Sequence, residues 1–373
     1  MYVHVPFCRQ LCPYCDFAVA VRKQIPHKAY ADAVVAELRA RAGDLEGREV
    51  ATVYFGGGTP ALLDPASLEH IVAAVLDCAP TPREMTIEAN PLDVTPHAAQ
   101  RWRAMGFDRL SLGVQSFDPQ YLRALGRDHG AADARNALET ALAADLVVSM
   151  DLIYGGPHHE EQILRRDLEL VAELRPHHVS AYQLTVEEGT VFGRRAREGR
   201  LALPDEEARA DLSDRLIDSL AEAGFERYEV SSYARDGFIG HHNAGYWTGA
   251  EYLGVGTGAH SLRIDGVVTR RANDRRLASY LARDASAAVE ETVAASDHLR
   301  ERLFLALRTR LGVSVSELTA QFAAVRPDLR PWLDALLEPM RAEGLVERSD
   351  DVVRPTPRGL DFADTLAQRV WDG

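Results

Sequence analysis

Three cysteines stand close together near the start of the chain. Cys8, Cys12 and Cys15 form a CxxxCxxC pattern directly after a predicted strand. Thiolates are soft donors that suit iron–sulfur clusters or zinc. Three thiolates on a four-iron cluster leave one iron open to bind something else. The pattern therefore predicts a 4Fe-4S cluster held by these three cysteines.

Two other uses of these cysteines are less favoured. A structural zinc site needs a fourth ligand nearby, and His4 lies within the strand, where its side chain would point away from the loop. The first residues lack the basic and long apolar regions of a secretory signal, so a cytoplasmic location is expected. Disulfides are rare in that reducing compartment. Cys78 is expected to play no part in the site.

The elements around these cysteines alternate between strands and helices. Apolar runs rich in β-forming residues predict six strands, at 2–5, 50–55, 85–89, 109–114, 147–153 and 178–184. Helical periodicity predicts helices between them, at 29–41, 67–76, 96–105, 131–143 and 162–174. Parallel strands with crossover helices favour an α/β fold, a partial (β/α)6 barrel with its active site at the carboxyl ends of the strands.

The rest of the chain differs in composition. A helical pattern at 201–224 leads to a predicted strand at 225–233 and then to a loop-rich segment at 237–261, which is rich in glycine and aromatic residues. Helical runs and a hairpin follow near the end. We therefore expect a barrel over 1–235, a linker and extension over 236–289, and a small helical, winged-helix-like domain over 290–373.

Charge and hydropathy exclude some classes of function. The net charge is −14, which disfavours non-specific binding to nucleic acid or to an anionic membrane surface. The candidate recognition helix of the C-terminal domain carries acids as often as bases, so a packing or lid role is preferred to DNA contact. No stretch approaches the roughly 20 apolar residues of a membrane span. We expect no nucleic-acid partner and no integral membrane segment.

Polar residues follow successive predicted strands. Glycines 56–58 end the second strand, and they allow a ligand to approach the backbone closely. Glu88, Gln115, Arg127 and Asp151 lie at or soon after the ends of later strands, where they can bind an ammonium, a carboxylate or hydroxyl groups. Taken alone, the glycines could form a plain turn, and each polar side chain could simply be hydrogen-bonded at the end of a strand. Together they favour a binding site.

The cysteine pattern resembles the signature of the radical SAM superfamily. In that superfamily the aromatic residue before the third cysteine, here Tyr14, lies against the adenine of S-adenosylmethionine (SAM). The resemblance implies that SAM chelates the open iron and that an electron from the cluster cleaves it to a 5'-deoxyadenosyl radical. The protein then supplies placement for chemistry that belongs to the cofactors.

Further motifs resemble one branch of this superfamily, the oxygen-independent coproporphyrinogen III oxidases and the HemW heme chaperones. The motifs are GGGTP at 56–60, EANP at 88–91, SLGVQSF at 111–117, LGRDH at 125–129, DLIYG at 151–155 and HVSAYQLTVEEGT at 178–190. The resemblance implies these SAM contacts: Tyr2, Tyr14, Gly57, Gly58, Thr59, Glu88, Gln115, Arg127 and Asp151. It implies Cys8, Cys12 and Cys15 as cluster ligands.

Two features separate the oxidases from the heme chaperones. The oxidase pattern has a fourth cysteine two residues after the third, where this chain has Phe17. The segment 242–247 matches the HNxxYW motif of the heme chaperones, which implies heme as a bound group and His242 as its ligand. His241 is the neighbouring alternative as a heme ligand. The other alternative is that His242 has only a structural role, as a histidine packed in a loop by Tyr246 and Trp247.

The function expected from this resemblance is heme binding and delivery to a membrane-bound respiratory hemoprotein. Formation of a homodimer, promoted by the cluster, is one of the ways in which the cluster could support that function. Reductive SAM cleavage is another. The rival expectation is oxidative decarboxylation of coproporphyrinogen III, against which the absence of the fourth cysteine argues. Nucleic-acid contact by the C-terminal domain is the third alternative.

Overall fold

Strands and helices alternate along most of the chain in a computed structural model that describes residues 1–283 and 287–373. The strands are β1 (Tyr2–Val5), β2 (Phe7–Cys8), β3 (Ala20–Val21), β4 (Thr52–Gly57), β5 (Glu84–Ala89), β6 (Arg109–Gln115), β7 (Val147–Tyr154), β8 (His178–Gln183), β9 (Glu226–Arg227), β10 (Ser232–Ala234), β11 (Gly254–Val255), β12 (His260–Asp265), β13 (Val267–Ala272), β14 (Val289–Val293), β15 (Val313–Ser314), β16 (Val346–Ser349) and β17 (Val352–Pro355).

The α-helices cover the outer face of these strands and build the C-terminal domain. They are α1 (His27–Ala40), α2 (Pro65–Cys78), α3 (Pro96–Ala104), α4 (Pro119–Ala124), α5 (Ala131–Ala143), α6 (Glu161–Leu174), α7 (Val191–Arg197), α8 (Glu206–Glu222), α9 (His241–Trp247), α10 (Leu277–Leu281), α11 (Ala295–Ala306), α12 (Val315–Phe322), α13 (Leu329–Ala342), α14 (Pro357–Asp361) and α15 (Ala363–Asp372). None of the described helices is both long enough and apolar enough to cross a membrane.

One large sheet organises the first two thirds of the chain. Its strand order is β11-β1-β4-β5-β6-β7-β8-β10-β9. The six strands from β1 to β8 in this order are parallel neighbours, which confirms the predicted series of βα units. Strands β11 and β9 are the two ends of the order, so the sheet is an open, partial barrel.

Alternation along each strand separates a polar interior from an apolar exterior. In β6, Leu110 and Leu112 are fully buried in the main hydrophobic core, whereas Arg109 and Ser111 line a central cavity. Successive side chains of a strand point to opposite faces, so this period of two gives each strand one face for the helices and one for the site. The site is therefore built from the inner faces of several strands.

Two parts of the predicted organisation differ from the structure. The segment 225–233 is not one strand but the two short antiparallel strands β9 and β10, which extend the sheet beyond β8. The segment 237–261, predicted to be loop-rich, also contains the short helix α9 and strand β11, which the prediction did not include. Strand β11 pairs in parallel with β1 and widens the sheet at its other edge. Strands β9, β10 and β11 are each only two or three residues long, which is too short for a periodic pattern in the sequence to predict them.

The C-terminal region has its own hydrophobic core and its own sheet. The order α11, β15, α12, α13, β16, β17 is that of a winged helix, with the hairpin β16–β17 as the wing and β15 beside β17. This region contacts the barrel where the hydroxyl of Thr309 donates to the carbonyl of Tyr228 at 2.9 Å. The three-part division at residues 235 and 289 stays a prediction.

Candidate functional site

A cavity of about 290 Å3 opens at the carboxyl ends of the parallel strands. Five strands, β4 to β8, contribute inner-face side chains to it, so the sheet must curve around the cavity. All but one of the predicted site residues line it: Cys8, Cys12, Tyr14, Cys15, Gly57, Gly58, Thr59, Glu88, Gln115, Arg127, Asp151 and His242. Tyr2 is the one that does not.

The cysteine loop closes over the mouth of this cavity. Strand β2 pairs with β3, which brings the two ends of the loop together. The amide of Cys15 donates to the carbonyl of Cys12 at 3.1 Å, and this turn places both thiols on one side. Gly126 lies under the loop, because a Cβ there would stand 2.6 Å from Cδ of Pro13. The loop is thereby held against the segment that carries Arg127.

Burial disfavours the charged form of two of the thiols. It raises the pKa of Cys8 to about 11 and also raises the pKa of Cys15. The Thr59 hydroxyl lies 4.0 Å from the Cys8 sulfur, and the Arg127 Nη1 lies 3.5 Å from the Cys12 sulfur. The Thr59 contact and the charge of Arg127 oppose the effect of burial on the pKa of Cys8 and favour its thiolate, which is the form that binds iron.

The thiols suit a cluster better than a single ion. Within residues 1–283 and 287–373, no three histidine, cysteine or acidic side chains converge as ligands of one metal ion would. A four-iron cube differs from one ion because each thiolate binds a different corner. Three soft, free thiols around one open mouth therefore fit a 4Fe-4S cluster.

The glycine turn at the end of β4 makes room where a side chain would not fit. Gly57 has φ +109°, and a Cβ there would stand 2.4 Å from Cε1 of His4. At Gly58 a Cβ would stand 2.7 Å from the carbonyl oxygen of Phe7. Only glycine meets both demands without strain, so the backbone of this turn can line a ligand directly.

Two carboxyl groups face the interior of the cavity. Glu88 accepts hydrogen bonds from the Tyr54 hydroxyl at 2.7 Å and from the Gly57 amide at 3.0 Å. Asp151 accepts from the Ser111 hydroxyl at 3.0 Å. Burial raises the pKa of Glu88 to about 7 and that of Asp151 to about 6. A ligand with an ammonium and hydroxyl groups would stabilise both ionised forms.

Gln115 is turned into the cavity by a break in the sheet. The register between β6 and β7 shifts between Leu112 and Gln115, and Gln115 has φ +66°. A bulge of this kind redirects a side chain at a strand end. Its Oε1 is buried with no hydrogen-bond partner among the described residues. This oxygen is free to accept from a ligand.

Arg127 spans the cavity between the loop and the sheet. Its Nη2 donates to the carbonyl of Gly113 at 2.9 Å and to the side chain of Asn90, while its Nε has no partner in the described chain. Asn90 also donates to the Thr59 hydroxyl at 2.9 Å. A guanidinium with unused hydrogen-bonding capacity is suited to a ligand carboxylate.

These groups together fit SAM beside the cluster. Unpartnered atoms of Gln115 and Arg127, the carboxyls of Glu88 and Asp151 and the exposed glycine backbone match its amino, carboxylate and ribose groups. When bound, the cluster supplies one-electron chemistry to SAM. The chain's own residues would orient SAM and surround it with protein, which would limit access of water.

Tyr2 and His242 lie at the base of the site, in one aromatic stack. The Tyr54 ring lies 6.1 Å from that of Tyr2 and 5.1 Å from that of His242. The Tyr2 hydroxyl is 3.0 Å from Nδ1 of His4. Tyr2 therefore packs against Tyr54 and His242, which line the cavity, and does not line the cavity itself.

His242 is buried and has partners at both ring nitrogens. Nδ1 lies 3.0 Å from the Thr52 hydroxyl, and Nε2 lies 3.0 Å from the Tyr246 hydroxyl. Burial lowers the pKa of His242 to about 3, so its imidazole is neutral. An iron bound at His242 would have to displace one of these two partners.

Sequence motifs missed several residues of the lining. Tyr54, Thr86, Ser149, Ser180 and Tyr182 face the cavity from the middle of their strands. The signal for them was the alternation of polar and apolar residues within each strand, which marks one face as polar. Asn90 belongs to the EANP motif, and the motif alone does not indicate that this side chain joins Thr59 to Arg127.

The geometry agrees with the proteins to which the chain is similar. It matches the Radical SAM superfamily over residues 2–171 and the HemN C-terminal domain over residues 293–362. The heme chaperone HemW of Escherichia coli K12 is 32% identical over 374 residues, which cover 99% of this chain and 97% of that protein. The heme chaperone HemW of Mycobacterium tuberculosis is 36% identical over 381 residues, which cover 99% and 94%.

A solved structure has the same fold. The coproporphyrinogen III oxidase HemN of E. coli superposes with a TM-score of 0.82 at 25% identity, over 99% of this chain and 89% of that one. That protein is described as a radical SAM enzyme. Similarity over nearly the whole length of two heme chaperones is the more specific result. The chain therefore belongs to the HemW family of heme chaperones, within the radical SAM superfamily.

Proposed function

We propose that this chain is a cytoplasmic heme chaperone, which binds heme and delivers it to a membrane-bound respiratory hemoprotein. The observation that carries the proposal is the similarity to relatives named heme chaperone HemW, which extends over 97% of the E. coli protein. The 4Fe-4S cluster is bound by Cys8, Cys12 and Cys15. SAM is bound by Tyr14, Gly57, Gly58, Thr59, Glu88, Gln115, Arg127 and Asp151.

The size of the barrel cavity supports a SAM site without a porphyrin beside it. Its volume of about 290 Å3 is close to the lower limit of the roughly 300–1,000 Å3 of small-molecule sites. One molecule of the size of SAM fills such a space. A tetrapyrrole bound together with SAM would have to lie largely outside it.

Phe17 supports the same proposal. It stands two residues after Cys15, where the oxidase pattern has its fourth cysteine, and its side chain is 62% exposed at the rim of the cavity. An apolar ring cannot supply the thiol or thiolate that a cysteine offers there. The second candidate function, oxidative decarboxylation of coproporphyrinogen III, is favoured by the likeness to HemN and disfavoured by this residue.

For the part that the cluster plays in heme delivery, we propose two alternatives. The cluster acts either by promoting a homodimer or by allowing SAM cleavage to trigger heme release. The acidic net charge of −14 makes nucleic acid an unsuitable partner of this chain, whichever way the cluster acts. We therefore propose heme and one hemoprotein as the partners of the chain.

The experiment compares the two activities under anaerobic conditions. The protein is reconstituted with its cluster and supplied with SAM, a reductant and coproporphyrinogen III, and the porphyrins are separated by chromatography. A parallel sample is titrated with heme. The proposal predicts unchanged coproporphyrinogen and stoichiometric heme binding. Accumulation of vinyl products with turnover would establish the oxidase function instead.

A further inference from the structure

A second cavity lies at the opposite end of the barrel from the cysteine loop. It has a volume of about 860 Å3. Met1, Thr52 and Arg83 line it, and these residues stand at or just before the amino ends of β1, β4 and β5. Residues of β12 and β13 form the facing wall. The cavity is therefore separate from the site at the carboxyl ends of the strands.

Helix α9 separates the two cavities. His242 lines the cavity below the cysteine loop, here called the upper cavity. His241 lines the second cavity, at the amino ends of the strands, here called the lower cavity. The main-chain amides of both residues donate to the Glu84 carboxylate, each at 2.9 Å. Arg109 lies beside that carboxylate, at 3.8 Å. These contacts fix the start of the helix, so the two neighbouring imidazoles face different sites.

The two imidazoles differ in what they can bind. Both nitrogens of His242 are engaged within the protein. The ring of His241 is partly exposed and has no hydrogen-bond partner in the described part of the chain. A neutral imidazole with a free nitrogen is a common axial ligand of heme iron. His241 therefore offers the donor that His242 lacks.

The walls of the lower cavity suit a large ligand with apolar faces and carboxylates. Six arginines line it against five acids, although the chain as a whole carries 42 basic and 56 acidic residues. Leu253, Leu262 and Tyr252 add apolar and aromatic surface. A volume of 860 Å3 is within the roughly 300–1,000 Å3 of small-molecule sites. Heme combines a flat apolar macrocycle with two propionates.

Two arginines can receive the propionates. Arg83 is exposed and has no ion-pair partner among the residues that the structure describes. Arg48 donates to both oxygens of Glu251, from Nε and from Nη2, each at 3.3 Å, so a propionate there would take the place of that carboxylate. Arginine binds carboxylates through two parallel hydrogen bonds. The lower cavity thus pairs an iron ligand with groups for the acidic edge of heme.

Other free imidazoles lack such surroundings. His158 lines a third cavity, of about 480 Å3, whose charged lining consists of Glu160, Glu161 and Asp211 with no arginine or lysine. A ligand with two negative charges is disfavoured there. His260 is exposed on β12 and is not part of the lining of the second cavity. His158 and His260 are therefore matched controls.

We infer that heme binds in the lower cavity, with His241 as an axial ligand of its iron and with Arg48 and Arg83 on its propionates. This inference rests on the proposed function, since it assigns the site of the proposed cargo. It places heme and SAM on opposite sides of helix α9. It also makes His242 part of the SAM site rather than a heme ligand.

The test is a heme titration of the full chain with its cluster reconstituted, followed by the Soret band. His241→Ala is expected to lower heme affinity about tenfold or more, the effect of losing one good ligand. Added imidazole is expected to restore the spectrum, because it can occupy the vacated position on iron. His158→Ala and His260→Ala are expected to bind heme like the wild type.

A second variant separates charge from ligation. Arg48→Gln combined with Arg83→Gln is expected to lower affinity about tenfold with an unchanged Soret maximum, since only propionate contacts are lost. Unchanged affinity and spectrum in His241→Ala would overturn the assigned site while leaving heme binding intact. A wild-type protein that binds no heme would overturn the proposed function itself.

Discussion

The imidazole of His242 stacks on the phenol ring of Tyr54, with 5.1 Å between the ring centroids and 24° between the planes. The Tyr54 hydroxyl in turn donates to Glu88 at 2.7 Å. His242 thus contacts a SAM-site carboxylate through one intermediate side chain. Thr52 and Tyr246 hold the imidazole from either side. The histidine of the HNxxYW segment therefore supports Tyr54 and, through it, a carboxylate of the proposed SAM site.

Replacement of His242 is expected to weaken SAM binding. In His242→Ala the Tyr54 ring keeps Tyr2 but loses the nearer of its two stacking partners, so its hydroxyl is held less firmly against Glu88. SAM affinity should fall roughly tenfold, which corresponds to about 1.4 kcal/mol. His242→Phe keeps the stack and loses the two hydrogen bonds, so a smaller loss is expected. Equilibrium dialysis with the reconstituted protein measures both.

The control for this series is His260→Ala, an exposed histidine without a role in the stack. Iron content should remain at the wild-type level in every variant, because the cysteines are untouched. SAM affinity that is the same in His242→Ala and in the wild type would show that the stack does not position Glu88.

SAM affinity should depend on pH through Glu88. Burial raises the pKa of this carboxyl to about 7, so it is largely protonated at pH 6 and largely ionised at pH 8. A cationic ligand binds the ionised form better. Affinity should therefore rise as the pH increases from 6 to 8. Binding constants at pH 6, 7 and 8 for the cluster-loaded protein test the direction.

Two variants test whether Glu88 is the group whose ionisation causes the rise in SAM affinity between pH 6 and pH 8. Glu88→Gln should remove it and bind SAM weakly at every pH. In Asp151→Asn the step should persist with its midpoint at lower pH, because the charge of Asp151 is one of the causes that raise the pKa of Glu88. An identical step in Glu88→Gln would assign the titration to another group.

The glycine turn at the end of β4 should not tolerate a side chain. Gly57→Ala would place a methyl group 2.4 Å from the His4 ring at a φ of +109°. We expect a loss of roughly 1–3 kcal/mol in the free energy of unfolding, the cost typical of such a backbone conformation. Gly43→Ala is the matched control, since no atom lies within 4 Å of its Cβ position.

Urea titration compares these two glycine variants. The control should be neutral or more stable than the wild type by up to about 1 kcal/mol. SAM affinity should also fall in Gly57→Ala, because its amide bonds to Glu88. Equal urea midpoints for the two variants would mean that the turn adapts to a side chain without cost.

Removal of one cluster ligand should separate heme binding from heme delivery. Cys12→Ser is expected to lose cluster iron and sulfide, whereas Cys78→Ser should keep both, since Cys78 ends helix α2 outside the cavity lining. Heme binding should survive in Cys12→Ser, because the inferred heme site is at the other end of the barrel. Loss of heme transfer by that variant would link the cluster to delivery, and normal transfer would exclude that link.

Much of the barrel could be predicted from local pattern. The strands β1 and β4 to β8 were placed because apolar runs and helical periods alternate clearly. The residues at their carboxyl ends came together because parallel strands present those ends at one edge. Cys8, Glu88 and Asp151 line one cavity although they are far apart in the chain.

The remaining features depend on contacts that no local pattern encodes. Strand β11 has only two residues and exists because it pairs with β1, more than 200 positions earlier in the chain. The burial of His242 follows from its packing between Tyr54 and Tyr246. Its motif suggested an available heme ligand, whereas tertiary contacts occupy both of its nitrogens. Neighbouring His241 differs only by facing the other side of the helix.

Transfer of heme to an acceptor protein distinguishes a heme chaperone from a protein that only binds heme. The protein is loaded with one heme, mixed with the heme-free form of a respiratory b-type cytochrome in vesicles, and the appearance of holo-cytochrome is followed spectroscopically. A heme chaperone should transfer heme at a rate that increases with cytochrome concentration and exceeds the rate of heme release to a non-specific scavenger. Transfer no faster than release to the scavenger would contradict a chaperone function.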